Sequence, residues 1–479
     1  MSARKAIKAM GLFGGVQVVT ILCSIIRTKL VAVWIGPLGV GLFALFNQAL
    51  ETLSTATNLG MRQSSVRDIS QAGEQGLAGH VTRVVSVVRR WSVWLALGGC
   101  VITIALAPML SRVTFGDAGH VWGFVALSAA VLLMAVTNGE YAILQGTGKL
   151  RRLASVTVWG TLTGLAVSVP LFYWLRERSI VPSIVAYALA CATFAFIFRN
   201  RDYRQVSISR RETFETGKSF IKLGIYMTAG AFVTMLANYV FAAWLNQEAG
   251  TEMVGLYQAG NTLVNKYTAL ILAALGMEYY PRLARMADDA RRLRQNVSQE
   301  IAVALTAVTP IAALFIVLRL PIISLLYSGE FHAVAGMVSW GAIGSVLRTL
   351  SWCIAFVILA RGAGRIYLIT ESLSAVAYLA LHIAGYRLWG LTGLGIAFMA
   401  WYAFYTVVVA VVMVRVFRIG LSGSIARYTA WAVAVTAGVM VLTDMGWPVA
   451  AGAVTAVSVA VASIVARRLW KTQEEDKEE

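Results

Sequence analysis

The feature that most constrains this chain is a succession of apolar runs, each about 20 residues long, recurring from near residue 8 to residue 466. That length matches the hydrocarbon core of a bilayer, and about fourteen such runs can be delimited. Composition agrees: 58% of residues are hydrophobic and only 13% charged, and a mean hydropathy of +0.71 is too high for an ordinary water-soluble globule. The reading is an all-α integral membrane protein, with no room for a sizeable soluble domain. The first run exceeds the apolar segment of a signal peptide and no small-residue cleavage site follows it, so it is expected to stay in the mature protein.

The chain also repeats itself. Gly36-Pro37-Leu38-Gly39-Val40-Gly41-Leu42-Phe43 returns 214 positions later as Val254-Gly255-Leu256-Tyr257. The same offset matches Ile7-Lys8 with Ile221-Lys222, Thr20 with Thr234, Leu22 with Leu236 and Asn47 with Asn261. Gly146 and Gly148-Lys149 reappear as Gly362 and Gly364-Arg365, at an offset of 216. Both copies run in the same direction, which predicts two parallel-related six-helix bundles. Residues 1–198 form the first and 223–420 the second, joined by a basic linker at 199–222. Residues 421–479 add two helices without repeat mates and an acidic tail, Glu474 to Glu479, too charged to pack.

The net charge of +18 invites a nucleic-acid reading, but its distribution argues otherwise. With the N-terminus inside, only Arg112, Arg176, Arg178, Arg319 and Arg387 fall on the outer side. Arg27, Lys29, Lys266 and Arg348 fall within spans, and the rest of the 41 Lys and Arg lie on the inner side. This is the positive-inside bias, and it suits an anionic leaflet, so no nucleic-acid partner is expected. Both termini are placed in the cytoplasm. Cys23, Cys100, Cys191 and Cys353 fall inside apolar spans without any CxxC and read as small buried hydrophobes.

The Gly-Pro-Leu-Gly turn joins the first two spans, about 9–35 and 39–60, as an antiparallel hairpin. Met61 to Arg83 reads as a cytoplasmic loop with an interfacial helix, and Tyr279 to Gln299 as its counterpart. Gly146-Thr147-Gly148-Lys149 superficially resembles a phosphate loop. A Walker pattern, however, needs Gly at the position of Ile143 and Ser or Thr after the Lys, so ATP binding is not expected. His80, His120, His332 and His382 are scattered, with no metal-holding spacing, and no catalytic constellation emerges. Tyr279-Tyr280 and the many tryptophans near span ends fit interfacial belts. Outer loops of about 5 to 15 residues are too small for a membrane glycosyltransferase or polymerase, so the chain is read as no enzyme.

Lys29-Leu30-Val31-Ala32 leading into Gly36-Pro37-Leu38-Gly39-Val40-Gly41-Leu42-Phe43, then Asn58-Leu59-Gly60, resembles the oligosaccharide flippases of the multidrug/oligosaccharidyl-lipid/polysaccharide exporter superfamily. The nearest likeness is to the O-antigen and enterobacterial common antigen translocases. It implies a V-shaped transporter in the bacterial inner membrane that moves undecaprenyl-diphosphate-linked oligosaccharide, an O-antigen or exopolysaccharide repeat unit, to the periplasmic leaflet by alternating access. A polysaccharide polymerase and co-polymerase are implied partners beside membrane lipids. Twelve spans is the commoner count in the O-antigen group, while peptidoglycan-precursor flippases have fourteen, which keeps that reading open. A multidrug or cation antiporter of the same superfamily is the other alternative, but its cavity would favour carboxylates.

A charge at bilayer depth costs from about 2.5 kcal/mol upward, so each needs a reason. Arg27, Lys29, Lys266 and Arg348 are the candidate cavity cations for a diphosphate head group, with Lys266, mid-span in the eighth run, the leading one. Lys29 could instead snorkel to the interface, and Arg348 could pair with an acid to fix packing. Glu51 and Glu371 are candidates for coupling to H+ or Na+, the only cofactor expected, although Glu51 could instead pair with Lys266 or Arg27. Arg62 and Arg282 are placed at the cytoplasmic end as phosphate-capturing groups. Glu140 and Glu278 are expected to pair with Lys149 and Arg282.

Overall fold

The computed structural model describes residues 3–74, 78–203, 209–286 and 289–478. Among these residues the regular structure is helical throughout. In chain order the helices are α1 (Ala3–Trp34), α2 (Gly36–Asn58), α3 (Met61–Glu74), α4 (Ala78–Phe115), α5 (Val121–Gly146), α6 (Leu150–Leu175), α7 (Ile180–Ile197) and α8 (Arg210–Ala249). There follow α9 (Thr251–Arg285), α10 (Ala290–Val317), α11 (Arg319–Leu326), α12 (Ala335–Ala360), α13 (Gly364–Val411), α14 (Gly423–Asp444) and α15 (Pro448–Glu478). Helices are what lipid demands, since every backbone donor and acceptor must find its partner within the segment.

Nine stretches among the described residues are long and apolar enough to cross a membrane. Two of them, Leu150–Ile197 and Gly364–Val416, each hold two helices: α6 and α7 in the first, and the two limbs of α13, which breaks at Trp389 and Gly390, in the second. In α15 the apolar part is the shorter Pro448–Ile464. The helices α2 and α9 fall outside the nine because polar residues interrupt them, Asn47-Gln48 and Glu51 in one, Asn261 and Asn265-Lys266 in the other. With these included, the described helices account for the fourteen runs of the sequence.

The repeat is written into the backbone joints. Gly36 (φ +78°) and Gly250 (φ +87°) open the α1–α2 and α8–α9 turns, 214 residues apart. At the end of α5, Lys149 N–H donates to the Leu144 carbonyl (2.9 Å) and Gly148 N–H to that of Gln145 (3.1 Å). At the end of α12, Ala363 N–H donates to Ile358 (3.1 Å) and Gly362 N–H to Leu359 (3.0 Å). These are the paired bonds of a glycine-terminated helix, with Gly148 at φ +70° and Gly362 at φ +65°. The equivalent residues are therefore Gly148 and Gly362, and the 216 offset expected from residue identity is corrected to 214. The Gly146-Gly148 stretch is a helix stop. Arg176 (φ 51°, ψ −125°) after α6 and Gly390 (φ 57°, ψ −139°) within α13 extend the register once more. Where the second copy has glycine, the first holds an arginine in the left-handed region, and its Nη1 donates to the Trp34 carbonyl at 2.5 Å.

By compactness the chain divides into a unit ending at Gly255 and one starting at Leu256. In the first, α4 packs on α5, α6 on α7, α1 on α6, and α8 on α2, α3 and α4. These contacts of α8 carry the compact unit past the basic linker. Within that linker, residues 204–208 lie outside the described set, and from Arg210 the chain is already helical. In the second unit α12 packs on α13 and α10, and α10 also on α14 and α15, around Tyr279, Leu293, Ile301, Val346 and Cys353. Tyr279 is fully buried and donates to the Cys353 carbonyl at 2.8 Å. It belongs to the core and not to an interfacial belt, because α9 continues through the stretch expected to be loop; Tyr280 beside it is exposed. All four cysteines are free. The acidic tail is helical to Glu478, and Glu479 lies outside the described residues.

The polar segment after α2 forms α3, which buries Ile69 and Ala72 and exposes Arg62 and Arg67. Asp289 caps α10, its carboxylate accepting from Arg291 and Arg292 N–H at 3.0 Å each. Those bonds, with the neighbouring arginines, hold its carboxyl below the usual range. A depressed folded value means the cap stabilises fully above pH about 4 and is lost as pH falls through that depressed value. We expect Asp289→Ala to speed exchange of the Arg291 and Arg292 amides severalfold at pH 6. Asp289→Asn should keep protection and abolish its loss at pH 3. Equal protection in Asp289→Ala and the parent at pH 6 would contradict this.

Candidate functional site

Charges at depth in the first unit centre on α1. The Arg27 guanidinium lies over two aromatic faces, 4.8 Å from the Phe43 ring centroid of α2 and 5.2 Å from that of Tyr187 of α7. Its Nε is buried without a hydrogen-bond partner. Two rings stabilise a desolvated guanidinium by about 2 kcal/mol or more, yet they satisfy no donor, and an unmet buried donor costs about 1–3 kcal/mol. The arrangement holds a flat cation in place while leaving N–H capacity for an anion. Lys29 follows on the same helix, half-buried, and Glu51 on α2 is exposed and makes no salt bridge among the described residues.

In the second unit, Arg348 of α12 pairs with no acid among the described residues. Its Nη1 donates to Asn265 Oδ1 of α9 at 2.5 Å, and its guanidinium lies 5.8 Å from the Tyr402 ring of α13. Asn265 in turn donates to Asn261 Oδ1 at 2.6 Å. Lys266, the next residue, is exposed. Glu371 accepts from the Tyr405 hydroxyl at 2.7 Å. Tyr257 and Tyr378, both buried, share a hydroxyl contact of 2.9 Å beside the buried His382. At an offset of 214 the mate of Glu51 is Asn265, so α2 and α9 carry a polar group at the same register of each copy.

The groups expected at the basic end are dispersed. Arg62 is exposed on α3 with its guanidinium 5.2 Å from the Tyr141 ring. Arg282 is bound to Glu300 of α10 at 2.5 Å and not to Glu278, though its Nε has no hydrogen-bond partner. Glu140 pairs with Arg89 and not with Lys149: Arg89 Nε and Nη2 reach its two oxygens at 2.8 and 3.3 Å. Lys149 binds Asp202 at 3.0 Å, and this contact holds the Asp202 carboxyl below its ordinary value. Sequence reasoning missed the aromatic partners Phe43, Tyr187 and Tyr402, the amide Asn265, and Arg89. The only signal available was the Asn47–Asn261 match, one helical turn before Glu51 and Asn265.

The Arg89–Glu140 pair is buried on both sides, and four of the five guanidinium N–H groups are used, since Nη1 and Nη2 also donate to the Tyr203 (3.1 Å) and Asn200 (2.9 Å) carbonyls. Removing one partner strands the other charge, which typically costs about 3–5 kcal/mol. We expect Glu140→Ala to lower the melting temperature in detergent by several degrees, and Arg89→Met with Glu140→Met together to cost less than Glu140→Ala alone. An unchanged melting curve for Glu140→Ala would contradict this.

The fold is that of the multidrug/oligosaccharidyl-lipid/polysaccharide exporter superfamily. A lipid II flippase MurJ in an inward closed conformation superposes with a TM-score of 0.65 at 11% identity, covering 95% of this chain and 99% of that one. An inward-facing multidrug resistance MATE family transporter gives 0.64 at 17%, covering 86% and 96%. Residues 36–336 match the family described as polysaccharide biosynthesis protein, and the chain belongs to that family. It is also 25% identical over 348 residues to the lipid III flippases of Escherichia coli (strain K12) and Shigella flexneri, covering 72% of this chain and 82% of theirs. The protein is thus an integral membrane protein of polysaccharide biosynthesis.

Proposed function

We propose that this protein is a non-enzymatic flippase for undecaprenyl-diphosphate-linked oligosaccharide, an O-antigen or exopolysaccharide repeat unit, carried from the cytoplasmic to the periplasmic leaflet of the bacterial inner membrane by alternating access. The observation that carries the reading is Arg27, a membrane-depth guanidinium clasped by Phe43 and Tyr187 with an unmet Nε donor. A cationic drug has no use for such a group, whereas a diphosphate needs compensating charge and a planar donor fork. The polysaccharide family and the relation to lipid III flippases support the same cargo class. In the first unit Lys29 adds positive charge on the same helix as Arg27; within the second unit Lys266 and Arg348 supply it, Arg348 held in place through Asn265. Glu51, exposed on a polar helix, is the coupling carboxylate for H+ or Na+; Glu371, held by Tyr405, is the second candidate. Arg62 is the capture group at the basic end, which we place in the cytoplasm with both termini. The polymerase and co-polymerase would receive the product on the other side.

The test is complementation of a deletion strain, read as surface polysaccharide and as lipid-linked oligosaccharide accumulating in the inner leaflet. Lys266→Ala is expected to reduce surface polysaccharide at least severalfold at normal protein level, and Arg112→Ala to leave it unchanged. A deletion that leaves both readouts unaltered would overturn the proposal.

A further inference from the structure

A cavity of about 370 Å³ opens among α10, α14 and α15 of the second unit, lined by Thr306, Ser424, Arg427, Tyr428, Trp431 and Val461. We propose that it is a binding site for an anionic glycerophospholipid, with the phosphodiester at Arg427 and an ester carbonyl of the glycerol at Thr306. The Thr306 hydroxyl is what points to a ligand. A threonine within a helix commonly donates to the carbonyl four residues earlier. Thr309 does so to Leu305 (2.6 Å), Thr436 to Ala432 (2.8 Å) and Thr455 to Ala451 (2.8 Å), all on these three helices. Thr306 is only 4% exposed, yet its Oγ1 meets no partner among the described residues. A buried hydroxyl without an acceptor is costly in a membrane span, and a carbonyl oxygen brought into the cavity would meet it.

The polar groups are ordered along the helices as they are in such a lipid. α10 and α14 run parallel: Ser298 Oγ meets Ser424 Oγ at 2.8 Å near their starts, and Arg319, just past α10, meets Asp444 at the end of α14 at 2.5 Å. Counted from the serine contact, Arg427 is three residues along and Thr306 eight, so the hydroxyl lies about 7.5 Å beyond the arginine at the rise of a helix. In a glycerophospholipid the ester carbonyls likewise follow the phosphate towards the acyl chains. Ser424, Arg427, Tyr428 and Trp431 recur at intervals of three and four, forming one stripe of α14. Arg427 is exposed and pairs with no acid among the described residues, and none of the described lining residues is acidic. The phosphate would also face the first turn of α14, where Ser422 caps no N–H with its side chain, and an uncapped helix start favours an anion. Half-buried Trp431 and Val461 give the acyl chains an apolar wall, and aromatic residues beside an arginine at the end of a span are an interfacial pattern. A zwitterionic lipid would bring an ammonium group that finds no carboxylate there.

The diphosphate of a carried prenyl lipid offers related chemistry, and the experiment separates the two sources. Full-length protein in detergent is titrated in native mass spectrometry with phosphatidylglycerol, phosphatidylethanolamine and undecaprenyl diphosphate. The variants are Arg427→Ala, Arg427→Lys and Thr306→Val, with Arg365→Ala, at an exposed arginine that opens α13, as the control for general surface attraction. Phosphatidylglycerol is expected to bind in preference to phosphatidylethanolamine, at least fivefold more weakly in Arg427→Ala and nearly as in the parent in Arg427→Lys and Arg365→Ala. Thr306→Val, which removes the hydroxyl at nearly constant shape, should weaken it at least threefold while leaving the melting temperature of the lipid-free protein no lower. Undecaprenyl diphosphate binding should not change in any of them. Equal binding of the two phospholipids would overturn the proposal, as would phosphatidylglycerol binding indifferent to Arg427→Ala or to Thr306→Val, or weakened as much by Arg365→Ala. So would loss of undecaprenyl diphosphate binding alone in Arg427→Ala, which would assign the cavity to the cargo.

Discussion

Gly41→Ala and Gly255→Ala are expected each to cut transport about tenfold or more, and by similar amounts. A methyl group on Gly41 would run into the Thr251 carbonyl oxygen, and one on Gly255 into the carbonyl oxygen of Pro37, in both cases main chain that cannot swing aside. The two contacts are reciprocal, because Pro37 and Thr251 are repeat mates just as Gly41 and Gly255 are. Small residues allow helix backbones in a membrane to approach this closely. Overpacking of such a contact typically costs about 1–3 kcal/mol. If transport alternates between states in which α2 and the start of α9 touch and part, that cost depopulates the touching state roughly 5- to 150-fold. The measurement is thiol reactivity of a cysteine at Thr251 in a background without Cys23, Cys100, Cys191 and Cys353, alongside complementation. Because both variants break one contact, Gly41→Ala with Gly255→Ala should fall well short of additive. Wild-type transport and unchanged reactivity in both would show that the contact is never strained in function.

Arg27→Ala is expected to abolish surface polysaccharide, to below about a tenth of the parent, with protein level and melting temperature nearly unchanged. The two effects on stability oppose each other: loss of cation–π attraction to Phe43 and Tyr187, and relief of the unmet Nε donor. Arg27→Lys should recover only part of the transport, since an ammonium keeps the charge without the planar donor fork. Phe43→Leu should produce a milder defect by letting the guanidinium wander. Full complementation by Arg27→Ala would remove the central cation of the proposed site.

What the sequence made legible follows length and spacing. Apolar runs and turn residues are local, so the helices and the glycine-proline turn at Gly36 could be located without coordinates. The second glycine stop was misaligned by two residues because identity drew Gly146 and Gly148 onto Gly362 and Gly364, whereas hydrogen bonding makes Gly148 and Gly362 equivalent. Partnerships between side chains were not legible. Arg89 lies 51 residues from Glu140, and Arg348 lies 83 from Asn265, and which faces of two helices meet depends on rotation about each axis. Hence sequence proximity points Glu140 to Lys149, the nearer base, and leaves an acid partner open for Arg348, where an amide and an aromatic ring hold it instead. Tyr279 was misassigned for a related reason: a helix that continues past its apolar run buries residues that composition places at the surface.

The joint at Arg176 bears on how such a chain came to be. Its dihedral angles match those of Gly390, although a left-handed conformation is costly for arginine and nearly free for glycine. A backbone bend kept at a disfavoured side chain, and tied down by a bond to Trp34, is better understood as an inheritance than as a local optimum. The two copies then descend from one ancestral segment whose bends outlasted its residues. Internal duplications in other polytopic proteins, too diverged for alignment, should betray themselves by the even spacing of their left-handed joints.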